Sequence, residues 1–206
     1  PADPSPVDRW ILSRLQHVIG EVDELSESFE VAKVCDVLYH FAWDDVCDWY
    51  VELAKPVLAG GGPAAERTKR VLGHVLDQLL RLLHPVIPFV TEELWTALTR
   101  GETVTTAAWP SPVPHLVDDA AEGELATLRR VVTEIRRFRS DQGLRPAQRV
   151  VARLDGLAAA GIAAHEPLIR SLVRLDEAGD GFTATAQLAV SGDVSVALDT
   201  RGAIDV

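Results

Sequence analysis

Across the first hundred residues, apolar side chains recur every three or four positions, which restricts this stretch to helices that bury one stripe each. A helix start at Ser5-Pro6-Val7-Asp8 precedes the stripe Ile11, Leu15, Val18, Val22 and Leu25, and Ser26-Glu27-Ser28 marks a break. A second stripe runs Val31, Val34, Leu38, Phe41, Val46, Trp49 and Leu53. Lys55-Pro56 is expected to end it, because proline disfavours helix in the residue before it. Gly60-Gly61-Gly62-Pro63 reads as a loop, with no Lys-Ser/Thr behind it to make a phosphate cradle. A third helix is predicted over 64–84, and a short fourth starts at Pro88, where a missing N–H costs nothing. Residues 101–114 are proline-rich and irregular. A fifth helix over 118–140 opens with acidic residues, as the helix dipole prefers, and buries Leu128, Val131, Val132, Ile135 and Phe138.

Beyond that point the pattern changes. Residues 149–154 alternate as a strand does, 167–175 form a short helix, and 182–190 and 194–198 read as strands joined by a turn at Ser191-Gly192-Asp193. The predicted fold is mainly α: an antiparallel helical bundle over 1–115, then a basic linking helix and a small α/β unit over 116–206.

Charge is distributed unevenly. The net charge of −11 argues against a general nucleic-acid coat. Yet residues 129–153 carry eight arginines against Glu134 and Asp141, while residues 1–60 are net −8 and 116–128 net −4. One basic segment in an acidic chain fits a local phosphate contact. No apolar run is long enough to span a bilayer and no secretory signal opens the chain, so a cytoplasmic protein without a membrane partner is expected. The absence of methionine points to a segment of a longer chain. Cys35 and Cys47, twelve apart in an apolar helical pattern, read as small core residues.

No catalytic grouping is legible: there is no Ser/His/Asp elbow and no His-Glu-x-x-His. His40, Asp44 and Asp48 share a helix face at spacings of four, which suits either a metal or, more plainly, a solvated polar face. Reading a single-stranded RNA loop is better supported, since bases are held by stacking on aromatic or guanidinium planes and by hydrogen bonds to their edges. Trp10, Arg14 and His17 recur at i, i+4 and i+7 beside the first apolar stripe. Packing of Trp10 against a neighbouring helix, with Arg14 extended over apolar surface, is the alternative. Phe29 and Lys33 stand at the turn into the second helix, within reach of a loop nucleotide. Trp43, Trp49, Tyr50 and Trp95 are expected in the core or between helices. Arg129, Arg136, Arg137 and Arg139 on the fifth helix, followed by Arg145 and Arg149, are candidates either for phosphate contact or for pairing with the acidic helices.

Several of these stretches resemble the valyl-tRNA synthetase family of class I aminoacyl-tRNA synthetases over nearly the whole chain. The residues are Asp8-Arg9-Trp10-Ile11-Leu12-Ser13-Arg14-Leu15, the run Phe41-Ala42-Trp43-Asp44-Asp45-Val46-Cys47-Asp48-Trp49-Tyr50 with Glu52 and Lys55-Pro56, and Arg139-Ser140-Asp141 with Pro146. His84-Pro85, Pro88-Phe89 and Thr91-Glu92-Glu93-Leu94-Trp95 are similar to a motif shared with the isoleucyl and leucyl enzymes. Gly202-Ala203-Ile204-Asp205-Val206 resembles the lead into a C-terminal coiled coil, which is absent here, as is a bundle helix expected before Asp8.

The resemblance implies a non-catalytic segment that helps a valine-accepting tRNA to be recognised. The parent enzyme would join valine to that tRNA with ATP and magnesium, through catalytic and editing domains upstream. No cofactor is expected in the segment itself, and no DNA partner. By the same resemblance Trp10 becomes the leading base contact, followed by Arg9 and Arg14. The same region of an isoleucyl or leucyl enzyme, or a helical protein-interaction scaffold, are the competing readings.

Overall fold

The computed structural model describes residues 4–100, 103–145, 147–191 and 194–200. Gly101, Pro146, the turn residues Gly192 and Asp193, and the stretch 202–206 lie outside the described residues.

Helix α1 (Pro6–Glu27) begins as its sequence dictates. The Ser5 hydroxyl oxygen accepts from the Asp8 amide, and Pro6 occupies the first turn. Helix α2 (Val31–His40) passes unbroken into a π-helical stretch, Phe41–Tyr50, and on into α3 (Val51–Gly60). A π turn brings residue i over i+5. The buried side chains follow that spacing, Phe41 with Val46 and Asp45 with Tyr50. Pro56 does not end the helix, contrary to the sequence expectation. It lies on the solvent side of α3, where the carbonyl left without a donor is open to water, and the chain turns instead at Gly61 (φ +68).

Helix α4 (Gly62–Leu83) and α5 (Pro88–Thr99) occupy the expected positions, and Leu80, Trp95 and Val104 pack as one cluster. Short 3₁₀ turns at Val104–Thr106 and Pro114–Leu116 lead to α6 (Asp119–Asp141). The chain divides into two compact units, Pro1–Glu122 and Gly123–Val206, so the division falls inside α6 rather than at the predicted 115/116. Asp118 and Glu122 explain the difference: both bond to α1, as described below, and belong with the bundle.

The second unit carries β1 (Val150–Asp155), α7 (Glu166–Leu172), β2 (Leu175–Glu177), β3 (Ala186–Ser191) and β4 (Val194–Asp199) in a sheet of order β2-β1-β4-β3. Only β1 and β2 are parallel, with Val150 opposite Leu175; β1 with β4 and β3 with β4 are antiparallel. The predicted helix 167–175 stops at Leu172, and its tail becomes the short strand β2. The predicted strand 182–190 starts only at Ala186. Fully buried Val196, Leu198, Ala152, Ile162 and Ile169 make the core of this unit.

A polar knot fastens the bundle. The Asp8 carboxylate, 2% exposed, accepts from the Tyr50 hydroxyl at 2.8 Å, the Thr68 hydroxyl at 3.0 Å and the Ser5 hydroxyl at 2.9 Å. These partners come from the π stretch, from α4 and from the residue ahead of α1. Buried hydroxyls and carboxylates need such partners, because burial without them costs free energy.

Candidate nucleic-acid interface

The face of α1 that the sequence offers to RNA is divided: Trp10 is turned into the bundle, while Arg9, Arg14 and His17 stay partly exposed. Trp10 is 2% exposed, so its ring has no open plane for a base, which corrects the stacking role expected of it. Three basic side chains on the same face each stand near a carboxylate. Arg9 Nε lies 3.3 Å from Asp118, Arg14 Nε 3.1 Å from Asp45, and His17 Nε2 3.2 Å from Glu122. Ser13 adds two bonds to the same segment, accepting from the Asp118 amide at 2.9 Å and donating to Glu122. The acidic excess of residues 1–60 and 116–128 supplies the carboxylates that meet Arg9, Arg14 and His17.

Exposed aromatics lie elsewhere. Phe29 is 88% exposed at the turn between α1 and α2, held at φ +57, a conformation that a bulky residue adopts at a cost. Lys33 is exposed nearby and pairs with Glu30. Tyr39 and Trp43 stand one turn apart, both more than half exposed, with rings parallel to within 3° and centroids 6.5 Å apart. This corrects the core position expected for Trp43; Tyr50 and Trp95 are buried as expected. Beside Tyr39 lies an apolar cleft of about 370 Å³ between α2 and the end of α4, lined by Cys35, Leu38, Ala42, Val86 and Ile87. Cys47 is exposed and Cys35 half-buried, so neither is the core residue the sequence pattern implies.

His40 shares this surface. Its Nδ1 meets Asp44 at 2.7 Å and its Nε2 lies 3.6 Å from Asp36. The hydrogen bond with Asp44 holds the imidazole above its ordinary 6.5. Asp48, one turn further on, is exposed. Among the described residues, no three His, Cys, Asp or Glu side chains are grouped to hold a metal.

The basic helix divides between surface and interior. Arg137 is exposed, whereas Arg139 is 5% exposed and its Nη2 donates to the carbonyl oxygen of Gln148 at 2.5 Å. Arg136 and Arg139, with Ser140, Gly143, Arg145 and Arg174, line a cavity of about 590 Å³ in the second unit, over Leu144 and Val173. Arg174 is the member that sequence reading missed, because its place between α7 and β2 separates it by 35 residues from Arg139.

With this geometry in hand, the comparison with protein families is decisive: the profile described as the anticodon-binding domain of tRNA ligase matches residues 8–154. The chain belongs to that family. Curated relatives named valine–tRNA ligase are 59% identical in Streptomyces coelicolor, 54% in Nocardia farcinica and 46% in Mycobacterium tuberculosis. These matches cover 98%, 97% and 100% of this chain but 23%, 23% and 24% of the relatives. The chain therefore spans about a quarter of their length.

Within this anticodon-binding domain the conspicuous motifs mostly build the scaffold. Asp8 and Tyr50 form the polar knot, and Trp10 fills the core. His84 bonds through Nδ1 to the Thr91 hydroxyl at 2.8 Å and through Nε2 to the Thr105 hydroxyl at 3.1 Å. Glu92 accepts from the Val104 amide at 3.1 Å, and Arg81 lies 4.9 Å over the Trp95 ring. Phe29, Tyr39, Trp43, Phe89 and Trp109 are aromatic side chains exposed at the surface. The His40 pair gives a direct check on that surface. An NMR titration should place the His40 midpoint above 6.5, and Asp44→Asn should bring it back down. A midpoint unmoved by Asp44→Asn would mean that the pair does not form in solution.

Proposed function

We propose that this domain recognises the anticodon arm of a valine-accepting tRNA, as a non-catalytic part of a longer valine–tRNA ligase that acts in the cytoplasm. The observation that carries the reading is the family match over 8–154 together with relatives of that name at up to 59% identity. The parent reaction draws on ATP and magnesium bound outside this segment, and the upstream catalytic and editing domains are its partners in the same chain.

Base recognition is assigned to the exposed aromatics. Tyr39 and Trp43 present parallel rings, and Phe29 projects from the α1–α2 turn. Neighbouring carboxylates such as Asp36 and Asp44 repel phosphate but accept from exocyclic amino groups, so this surface suits base edges rather than backbone. Phosphate contact then falls to the arginines around Arg136, Arg137 and Arg139.

Binding of this chain to valine tRNA and to the same tRNA with a changed middle anticodon base, at two salt concentrations, tests the reading. Tighter, salt-sensitive binding of the native anticodon is expected. Tyr39→Ala with Trp43→Ala should weaken the native complex by about 1–3 kcal/mol per base stacked, about five-fold or more in affinity, with little loss of stability. Equal affinity for both tRNAs would restrict the domain to backbone contact. No binding to either would favour an interaction scaffold built on the apolar cleft between α2 and α4.

A further inference from the structure

The cavity lined by Arg136, Arg139, Arg145 and Arg174 is a second, separate chemical feature. No carboxylate is among its lining residues. Arg139 is the key member. It is 95% withdrawn from solvent, and its Nη1 is buried with no hydrogen-bond partner, while Nη2 is held by backbone carbonyl oxygens of Gln148 and Arg145. A buried guanidinium without an anion is costly, and burial does push Arg139 below the ordinary arginine value. Arg174 is held at φ +55, a left-handed conformation that a glycine or asparagine would adopt more cheaply. Strain retained at a residue that lines a charged cavity marks a functional position. Arg145 and Arg174 form no ion pair with a described residue.

We propose that this cavity is a phosphate-binding site. Arg139 Nη1, Arg145 and Arg174 bring donors from three guanidinium groups to one cavity, and phosphate oxygens suit such groups in bidentate geometry. The Ser140 hydroxyl supplies one further donor at the rim. The volume of about 590 Å³ lies within the range of small-ligand sites and admits a phosphate with the sugar attached to it. The phosphate comes either from a phosphodiester of bound RNA or from a free phosphate ion. Only the first source rests on the RNA-reading role proposed above.

The test is a titration of this chain with inorganic phosphate at constant ionic strength, followed by calorimetry and by the NMR signals of the arginine Nε–H groups. Phosphate should shift the Arg139 and Arg174 signals. The double variant Arg145→Gln with Arg174→Gln, both exposed positions, should weaken phosphate binding ten-fold or more at unchanged thermal stability. Arg70→Gln, at an exposed position on α4 outside the cavity, should leave it within two-fold. In the RNA arm, the double variant should lower affinity equally for valine tRNA and its changed-anticodon form and flatten the salt dependence. Loss of phosphate binding with unmoved tRNA affinity assigns the site to free phosphate, and the site itself stands. An Arg139 signal indifferent to phosphate, or a double variant no different from Arg70→Gln, overturns the proposal. Failure of anticodon discrimination alone bears on the proposed function and not on this site.

Discussion

Asp8→Ala is expected to destabilise the bundle by roughly 2–6 kcal/mol, from about 1–3 kcal/mol for each buried hydroxyl left without its acceptor. The two hydroxyls are those of Tyr50 and Thr68, which donate to the two oxygens of one carboxylate from different helical segments. Set against a total of about 5–15 kcal/mol for a domain, the loss is enough to leave a large unfolded fraction at growth temperature. Denaturant unfolding measures it directly. Tyr50→Phe should cost less, since it removes one donor and leaves the carboxylate its Thr68 and Ser5 partners. The double mutant should be less destabilised than the two losses added, because both act on one bond.

Burial, with the Asp8 charge beside it, also holds the Tyr50 phenol well above its ordinary 10.0. A raised value in the folded state means that this contribution is complete below pH 10 and falls as pH rises beyond it, by about 1.4 kcal/mol per pH unit. Wild type should therefore lose more stability between pH 9 and 11 than Tyr50→Phe does. Equal losses in the two proteins would show that Tyr50 ionises freely and that the knot is not closed in solution.

Much of the architecture was legible because helical periodicity is a direct consequence of one-sided burial. Ile11, Leu15, Val18 and Val22 of the first stripe are buried and Leu25 is half-buried, and Pro88 opens α5 where a proline is tolerated. The misreadings have local physical causes. The stripe over 31–53 reads as one regular helix, although Phe41 to Val46 is a step of five, the spacing of a π turn; Trp43, expected in the core or between helices, lies outside that stripe and is exposed. Pro56 predicts a helix end on residue type alone, yet it lies inside α3 at an exposed position. The strand β2 has three residues, two of them acidic, and gains its place only by pairing beside β1, a contact that no local pattern announces.

Site reading depended on charge partners that lie far away in sequence. Arg9 and His17 look available beside Trp10 until Asp118 and Glu122, about a hundred residues later, meet them. The basic segment 129–153 was visible as composition. Its division into an exposed Arg137 and a buried Arg139 was not, since the fate of Arg139 is fixed by the carbonyl oxygens of the turn that follows α6. Arg174 reaches the cavity through the short connection between α7 and β2, so its role depends on the strand that the sequence pattern missed.

Trp10→Ala separates scaffold from recognition surface. Emptying a site that holds an indole at 2% exposure should cost about 3–5 kcal/mol. For a chain of this size that lowers the melting temperature by roughly 6–20 °C. Below the new transition the variant should bind valine tRNA as wild type does, with the same preference for the native anticodon, because the ring presents no plane to solvent. The variant with Tyr39→Ala and Trp43→Ala should behave oppositely: its melting temperature stays near that of wild type, since both side chains are more than half exposed, and its RNA affinity falls. The opposed results matter because Trp10 and Trp43 stand in equally conspicuous motifs, and only burial distinguishes them. Lost anticodon preference in a Trp10→Ala protein that is still folded by circular dichroism would place RNA on α1, and the exposed aromatic pair would lose its assignment.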